Sequence, residues 1–195
     1  DQPLASNYIS KLQSIASLHS ISVVFGTLVK AGQRAYNAVI WLEGDQLFRY
    51  NKTHVHWTEN FIPGDDFPVF ESELTKAGAL SCFDLGFPEA SRSLVLKGAE
   101  IIVAPSLVPA DFKDINKKRV VARALDNQIF VIYCNYAGGG HSGGSLIADP
   151  GGDILMEADD KPGIFIKNID LNRIGQWRKK ELLFQNRRPE IYKIW

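Results

Sequence analysis

Residues 79–106 constrain this chain more than any other stretch. Ala79–Phe83 is a short apolar run that reads as a central strand, Gly86 permits a tight turn, and Pro88 and Glu89 suit the first turn of a helix. That helix is expected from Pro88 to about Lys97, closed by Gly98, with a second strand from Glu100 to Ala104. The result is a strand-helix-strand unit with Cys82 where the first strand turns into the helix. Unpaired N–H groups and the dipole of a helix N-terminus favour a thiolate, and the thiolate is the attacking species. Taken alone, Cys82 reads equally well as a small buried hydrophobe.

The rest of the chain repeats the alternation of strands and helices. Leu4, Tyr8, Leu12, Ile15 and Leu18 recur at helical spacing and predict an amphipathic helix over about Pro3 to His19. Ile21 to Val29 reads as a buried strand interrupted by Gly26. Val39–Leu42 and Gln46–Tyr50 around Gly44-Asp45 form a hairpin that delivers Lys52 just beyond a strand end. Residues 51–70 read as a structured loop. Asp111 is expected to cap a helix whose packed face carries Phe112, Ile115, Ala122 and Leu125. Ile129–Cys134 reads as a buried strand in which Cys134 fills space, residues 138–144 as a mobile glycine-rich loop, and Asp149–Asp153 as a hairpin turn. Ile164–Ile166 is expected to form a last strand. Alternating helices and strands with two hairpins predict one mixed α/β domain over residues 1–195.

Composition narrows the function classes. Twenty-two basic residues balance twenty-two acidic ones, so no global field recruits nucleic acid or an anionic membrane. No apolar run approaches the roughly 20 residues that span a bilayer. Two cysteines are too few for a disulfide framework and fit a reducing, cytoplasmic compartment. The glycines around His141 and Ser142 lack the Lys-Ser/Thr ending of a phosphate cradle. His54, His56 and Glu59 have no convincing fourth ligand or histidine-cysteine spacing, so no metal is expected.

Tyr50-Asn51-Lys52-Thr53-His54, followed by Glu59 and Phe61-Ile62-Pro63-Gly64, resembles the lysine motif of the nitrilase or carbon-nitrogen hydrolase superfamily, and the segment around Cys82 resembles its cysteine motif. Lys97–Ser106, Arg123–Asn127, Gly144–Gly152 and Arg187–Tyr192 follow in family order. The resemblance implies an α-β-β-α sandwich of the nitrilase type with mixed sheets. It also implies a Glu-Lys-Cys triad whose general-base Glu lies ahead of every residue here. The chain therefore reads as N-terminally incomplete, lacking its first strand and helix.

From the resemblance, Cys82 is the nucleophile, Lys52 and the backbone N–H of Phe83 hold the oxyanion, and Glu59 orients Lys52. The implied reaction is hydrolysis of a non-peptide amide or N-carbamoyl group through a thioester on Cys82, without a cofactor. Nitriles rank lower as substrates. The competing class, motivated by the missing glutamate, is a non-catalytic binding or scaffold protein. The aromatic C-terminal segment from Arg187 to Trp195 is expected to help hold a homodimer or larger even homo-oligomer together.

Overall fold

Residues 6–192 are described in a computed structural model. Helix α1 (Ser6–His19) leads into strands β1 (Val23–Ala31), β2 (Arg34–Glu43) and β3 (Gln46–Asn51), which pair antiparallel in that order. Strand β2 is central, so both its faces must be covered, and its five residues Ala38–Leu42 are all buried. Ile40 and Leu42 pack under Ile9 and Ala16 of α1, while Trp41 packs toward a second sheet. The start of the expected first helix, Pro3–Ala5, lies outside the described residues.

The second sheet contains β4 (Val69–Glu71), β5 (Lys76–Ala79), β6 (Ile101–Ser106) and β7 (Phe130–Asn135), with β5, β6 and β7 parallel and β4 antiparallel at one edge. A short hairpin of β8 (Ala137–Gly138) and β9 (His141–Ser142) follows. Strands β10 (Leu146–Ala148) and β11 (Ile154–Glu157) then extend the sheet antiparallel beside β7. Helices α2 (Pro88–Leu96) and α3 (Lys113–Asn127) cover its outer face, where Leu94, Val120 and Ala124 meet Ile102, Ala104 and Val131. Trp41, Phe70, Ala77 and Val103 close the space between the two sheets. The layers are therefore α-β-β-α. Each fully buried aliphatic side chain in them contributes roughly 1.5–3 kcal/mol.

Several local expectations are corrected by the structure. The strand before the thiol ends at Ala79, and Cys82 opens a five-residue 3₁₀ turn, Cys82–Gly86, so α2 begins only at Pro88. Asp111 lies inside another short 3₁₀ turn and caps nothing; α3 starts after Phe112 without a side-chain cap. The packed face of α3 carries Asn116, Val120, Arg123, Ala124 and Asn127, whereas Phe112, Ile115 and Leu125 are exposed. Helical spacing fixes which residues share a stripe, and the stripe chosen is the one that meets the sheet.

Cys134 is exposed rather than space-filling. Residues 137–142 form the β8–β9 hairpin, with Ser142 buried against the Asn135 amide (2.7 Å). Ile164–Ile166 forms no strand, and Ile164 and Ile166 are exposed. The Asp149–Asp153 turn does join β10 to β11, and helix α4 (Asn172–Lys180) closes on it. There the Trp177 ring lies so close to Gly151 that a Cβ would stand 2.2 Å from it. Among the described residues no helix is long and apolar enough to cross a membrane.

Candidate active site

Parallel strands present their carboxyl ends on one side of a sheet, and ligand sites of open α/β sheets gather there. Here β5 and β6 end beside Cys82. The Leu80 N–H bonds the Val103 carbonyl (3.1 Å), and the Cys82 sulfur lies 4.0 Å from the Leu107 carbonyl oxygen just past β6. Cys82 adopts a left-handed backbone, φ 50°, which is uncommon for a non-glycine residue. The surrounding structure enforces that turn, and it leaves the side chain only partly buried.

Lys52 arrives from the other sheet. Its N–H continues the β2–β3 ladder by bonding the Asn37 carbonyl (2.8 Å), and its own carbonyl accepts from Gly64 N–H (2.8 Å). Gly64 must be a glycine at this crossing, since a Cβ would lie 2.2 Å from the Asn51 carbonyl oxygen. The Lys52 side chain is 1% exposed, and burying an ammonium is costly without a partner. Glu59 supplies one, with Oε2 2.7 Å from Lys52 Nζ. The same oxygen accepts the His56 backbone N–H (3.0 Å).

Asp84, two residues after Cys82, ties the two motifs together. Its fully buried carboxylate accepts from Tyr50 Oη (2.7 Å), Thr53 Oγ1 (3.1 Å), His54 N–H (2.9 Å) and Ser81 N–H (2.9 Å), and lies 2.9 Å from His54 Nδ1. The His54 ring stacks on Phe87 at 3.7 Å. Buried carboxylates persist where donors converge on them. Nothing in the one-dimensional pattern assigned Asp84 this task; an acid in the otherwise apolar turn after the thiol was the available signal.

The electrostatics of the thiol are opposed. Burial pushes Cys82 up from its ordinary range, the Lys52 ammonium pulls it down, and Glu59 adds a smaller upward push; the net direction is up. Lys52 and Glu59 are thus in contact with each other, and both bear electrostatically on Cys82. The Phe83 N–H faces the sulfur from the adjoining peptide. His56, Trp57 and Phe83 stand as an aromatic cluster beside it, with His56 and Trp57 stacked at 3.8 Å and Phe83 edge-on to Trp57 at 5.6 Å. An open cleft of about 690 Å³ lined by α2, α3 and the C-terminal segment, with Arg92, Arg123, Glu181, Arg187 and Tyr192 in its wall, contains none of these groups.

The family description "carbon-nitrogen hydrolase" matches residues 2–179. The chain belongs to the carbon-nitrogen hydrolase family. It is 31% identical to an N-carbamoylputrescine amidase of Arabidopsis thaliana, the alignment covering 95% of this chain and 72% of the relative. It is also 30% identical to a 2-oxoglutaramate amidase of Bacillus subtilis, over 94% of this chain and 75% of that one. Among solved structures, Saccharomyces cerevisiae Nit3 of the nitrilase superfamily superposes with a TM-score of 0.87 at 27% identity, covering 94% of this chain and 72% of its own. A carbon-nitrogen hydrolase from Helicobacter pylori G27 shares the fold, with a TM-score of 0.88 at 24% identity over 95% of this chain and 75% of that one. The sandwich described above is therefore the nitrilase fold, and the protein is an amidase-like carbon-nitrogen hydrolase.

Proposed function

We propose that this protein hydrolyses a small-molecule amide or N-carbamoyl group through a thioester on Cys82. The observation that carries this reading is the buried Lys52 ammonium, held by Glu59 and acting electrostatically on a thiol set in a left-handed turn. Relatives named as amidases support the substrate class.

In this reading the thiol proton passes to a carboxylate base as sulfur attacks the carbonyl carbon. The carbonyl π pair moves onto oxygen, where the Lys52 ammonium and the Phe83 N–H stabilise it. Collapse of the tetrahedral centre breaks the carbon–nitrogen bond, and the base returns its proton to the departing nitrogen. Water then adds to the thioester, and expulsion of the thiol releases the acid. Glu59 takes the orienting role, since one of its oxygens is engaged by Lys52 and the His56 amide. No step calls on a cofactor or metal. The assembly in this reading is a homodimer or larger even homo-oligomer working in the cytoplasm.

Ammonia release from a panel of ω-amides, N-carbamoyl compounds and simple nitriles tests the substrate class, and mass spectrometry of the quenched enzyme tests the thioester. An acyl adduct confined to Cys82 is expected. Turnover with an adduct elsewhere, or turnover surviving Cys82→Ala, would overturn the assignment.

A further inference from the structure

The loop that follows β6 passes the candidate nucleophile, and one buried side chain holds it there. Leu107 and Val108 share a peptide unit whose carbonyl oxygen stands 4.0 Å from the Cys82 sulfur. The N–H of the same peptide donates to the side-chain oxygen of Asn135 at 3.0 Å. In a planar trans peptide the N–H and C=O point in opposite directions. Fixing one end of the unit on Asn135 therefore fixes the direction of the other, and that direction is toward Cys82.

Asn135 is itself held from several sides. It is the last residue of β7 and is buried; its Nδ2 donates to Ser142 Oγ (2.7 Å) and to the Gly143 carbonyl (2.8 Å), while Oδ1 takes Val108. Its backbone N–H donates to Ser145 Oγ (2.9 Å). These bonds fix the amide's orientation, since a flip would set its oxygen against the Gly143 carbonyl and its donors against the Val108 N–H. Two backbone bonds, Ser142 N–H to the Val108 carbonyl (3.0 Å) and Tyr136 N–H to the Ser106 carbonyl (3.1 Å), sew the loop after β7 to the loop after β6. The glycine-rich stretch that carries no phosphate motif thus has a task, as the wall that braces the Asn135 amide.

We propose that Asn135 is a positioning residue for the reaction: through the Leu107–Val108 peptide it sets the carbonyl that receives the Cys82 S–H, and so holds the sulfur in one orientation for attack. The proposal rests on the reading of Cys82 as the nucleophile. Asn135 acts at one peptide's remove and takes no part in proton transfer. The Cys82 side chain is only partly buried, so packing alone leaves its thiol more than one staggered position; a fixed acceptor selects among them. Such placement bears on rate, because a displacement of about 1 Å can cost about 10²-fold.

The test compares Asn135→Leu with Asn135→Asp in a Cys134→Ser background, where Cys82 is the one thiol left. Both variants lose the donors toward Ser142 and Gly143, and only Asn135→Asp keeps an oxygen for the Val108 N–H. Asn135→Leu is expected to lower kcat by about 10–10²-fold and to move the infrared S–H stretching band of Cys82 to higher wavenumber, the direction for an S–H that loses its acceptor; Asn135→Asp retains most of kcat and the native band. Equal losses of kcat in the two variants, or an unmoved band in Asn135→Leu, overturn the proposal, because a merely structural amide would weaken both variants alike. Should either variant fail to fold, the α-hydroxy analogue of valine at position 108 replaces the donating N–H by an ester oxygen and leaves Asn135 in place. The same loss of kcat and the same band shift are then expected, and native values of both overturn the proposal. Failure of the nucleophile reading has a separate signature, turnover that survives Cys82→Ala.

Discussion

The Tyr50 hydroxyl donates a 2.7 Å hydrogen bond to the Asp84 carboxylate, joining the strand that delivers Lys52 to the turn that carries Cys82. Both residues are 1% exposed or less. Because the two catalytic candidates come from different sheets, their spacing depends on this crossing.

Asp84→Ala would leave the Tyr50 and Thr53 hydroxyls and the Ser81 and His54 N–H groups without their acceptor. Each unsatisfied buried donor costs about 1–3 kcal/mol, so a total loss of roughly 3 kcal/mol or more is expected in chemical denaturation. Tyr50→Phe removes one bond and is expected to cost about 1 kcal/mol. A loss for Asp84→Ala no larger than that for Tyr50→Phe would show that the carboxylate does not organise the crossing.

The same bond makes stability depend on alkaline pH. Burial first, and then the Asp84 charge, holds the Tyr50 phenol protonated well above its ordinary range. An unfolded tyrosine ionises near pH ~10, so above that pH the unfolded chain releases a proton that the folded chain retains. Stability is therefore full below about pH 10 and falls as pH rises beyond it. Denaturation curves at rising pH are expected to show a shallower decline for Tyr50→Phe than for the native sequence; parallel declines would contradict this.

The two thiols should separate cleanly. Cys82→Ala is expected to abolish turnover, while Cys134→Ala preserves it, since Cys134 is exposed and has no comparable turn around it. Equal loss in both variants, measured as ammonia release, would remove Cys82 from its role.

Lys52→Met is expected to lower kcat about 10²–10³-fold, the range for losing one oxyanion donor. Glu59→Gln keeps a hydrogen-bonding partner for Lys52 and is expected to cost less. A larger loss from Glu59→Gln than from Lys52→Met would instead make Glu59 the base.

Gly64→Ala forces a methyl group against the Asn51 carbonyl, beside the residue that bears the ammonium. Overpacking of this kind costs about 1–3 kcal/mol, and kcat is expected to fall as Lys52 shifts. Light scattering on the intact protein and on a chain ending at Gln185 tests assembly. The expected outcome is an oligomer weakened by the truncation; a monomer at micromolar concentration contradicts it.

The sequence by itself determined the strand-helix-strand unit and both hairpins, and its resemblance to the family singled out Lys52, Glu59 and Cys82 as the groups to watch. These are local patterns or motif spacings, carried by turn residues and apolar runs within a few positions of one another. It could not choose the face of α3, because the stripe of Phe112, Ile115 and Leu125 and the stripe of Val120 and Ala124 both follow a helical period. Nor could it tell that Ile164–Ile166 joins no sheet among the described residues, or that Cys134 looks outward. Tertiary structure also decided the role of Asp84. Asp84 gathers donors from as far as 34 positions away. Contacts of that separation depend on how two sheets stack, and stacking is a property of the whole core.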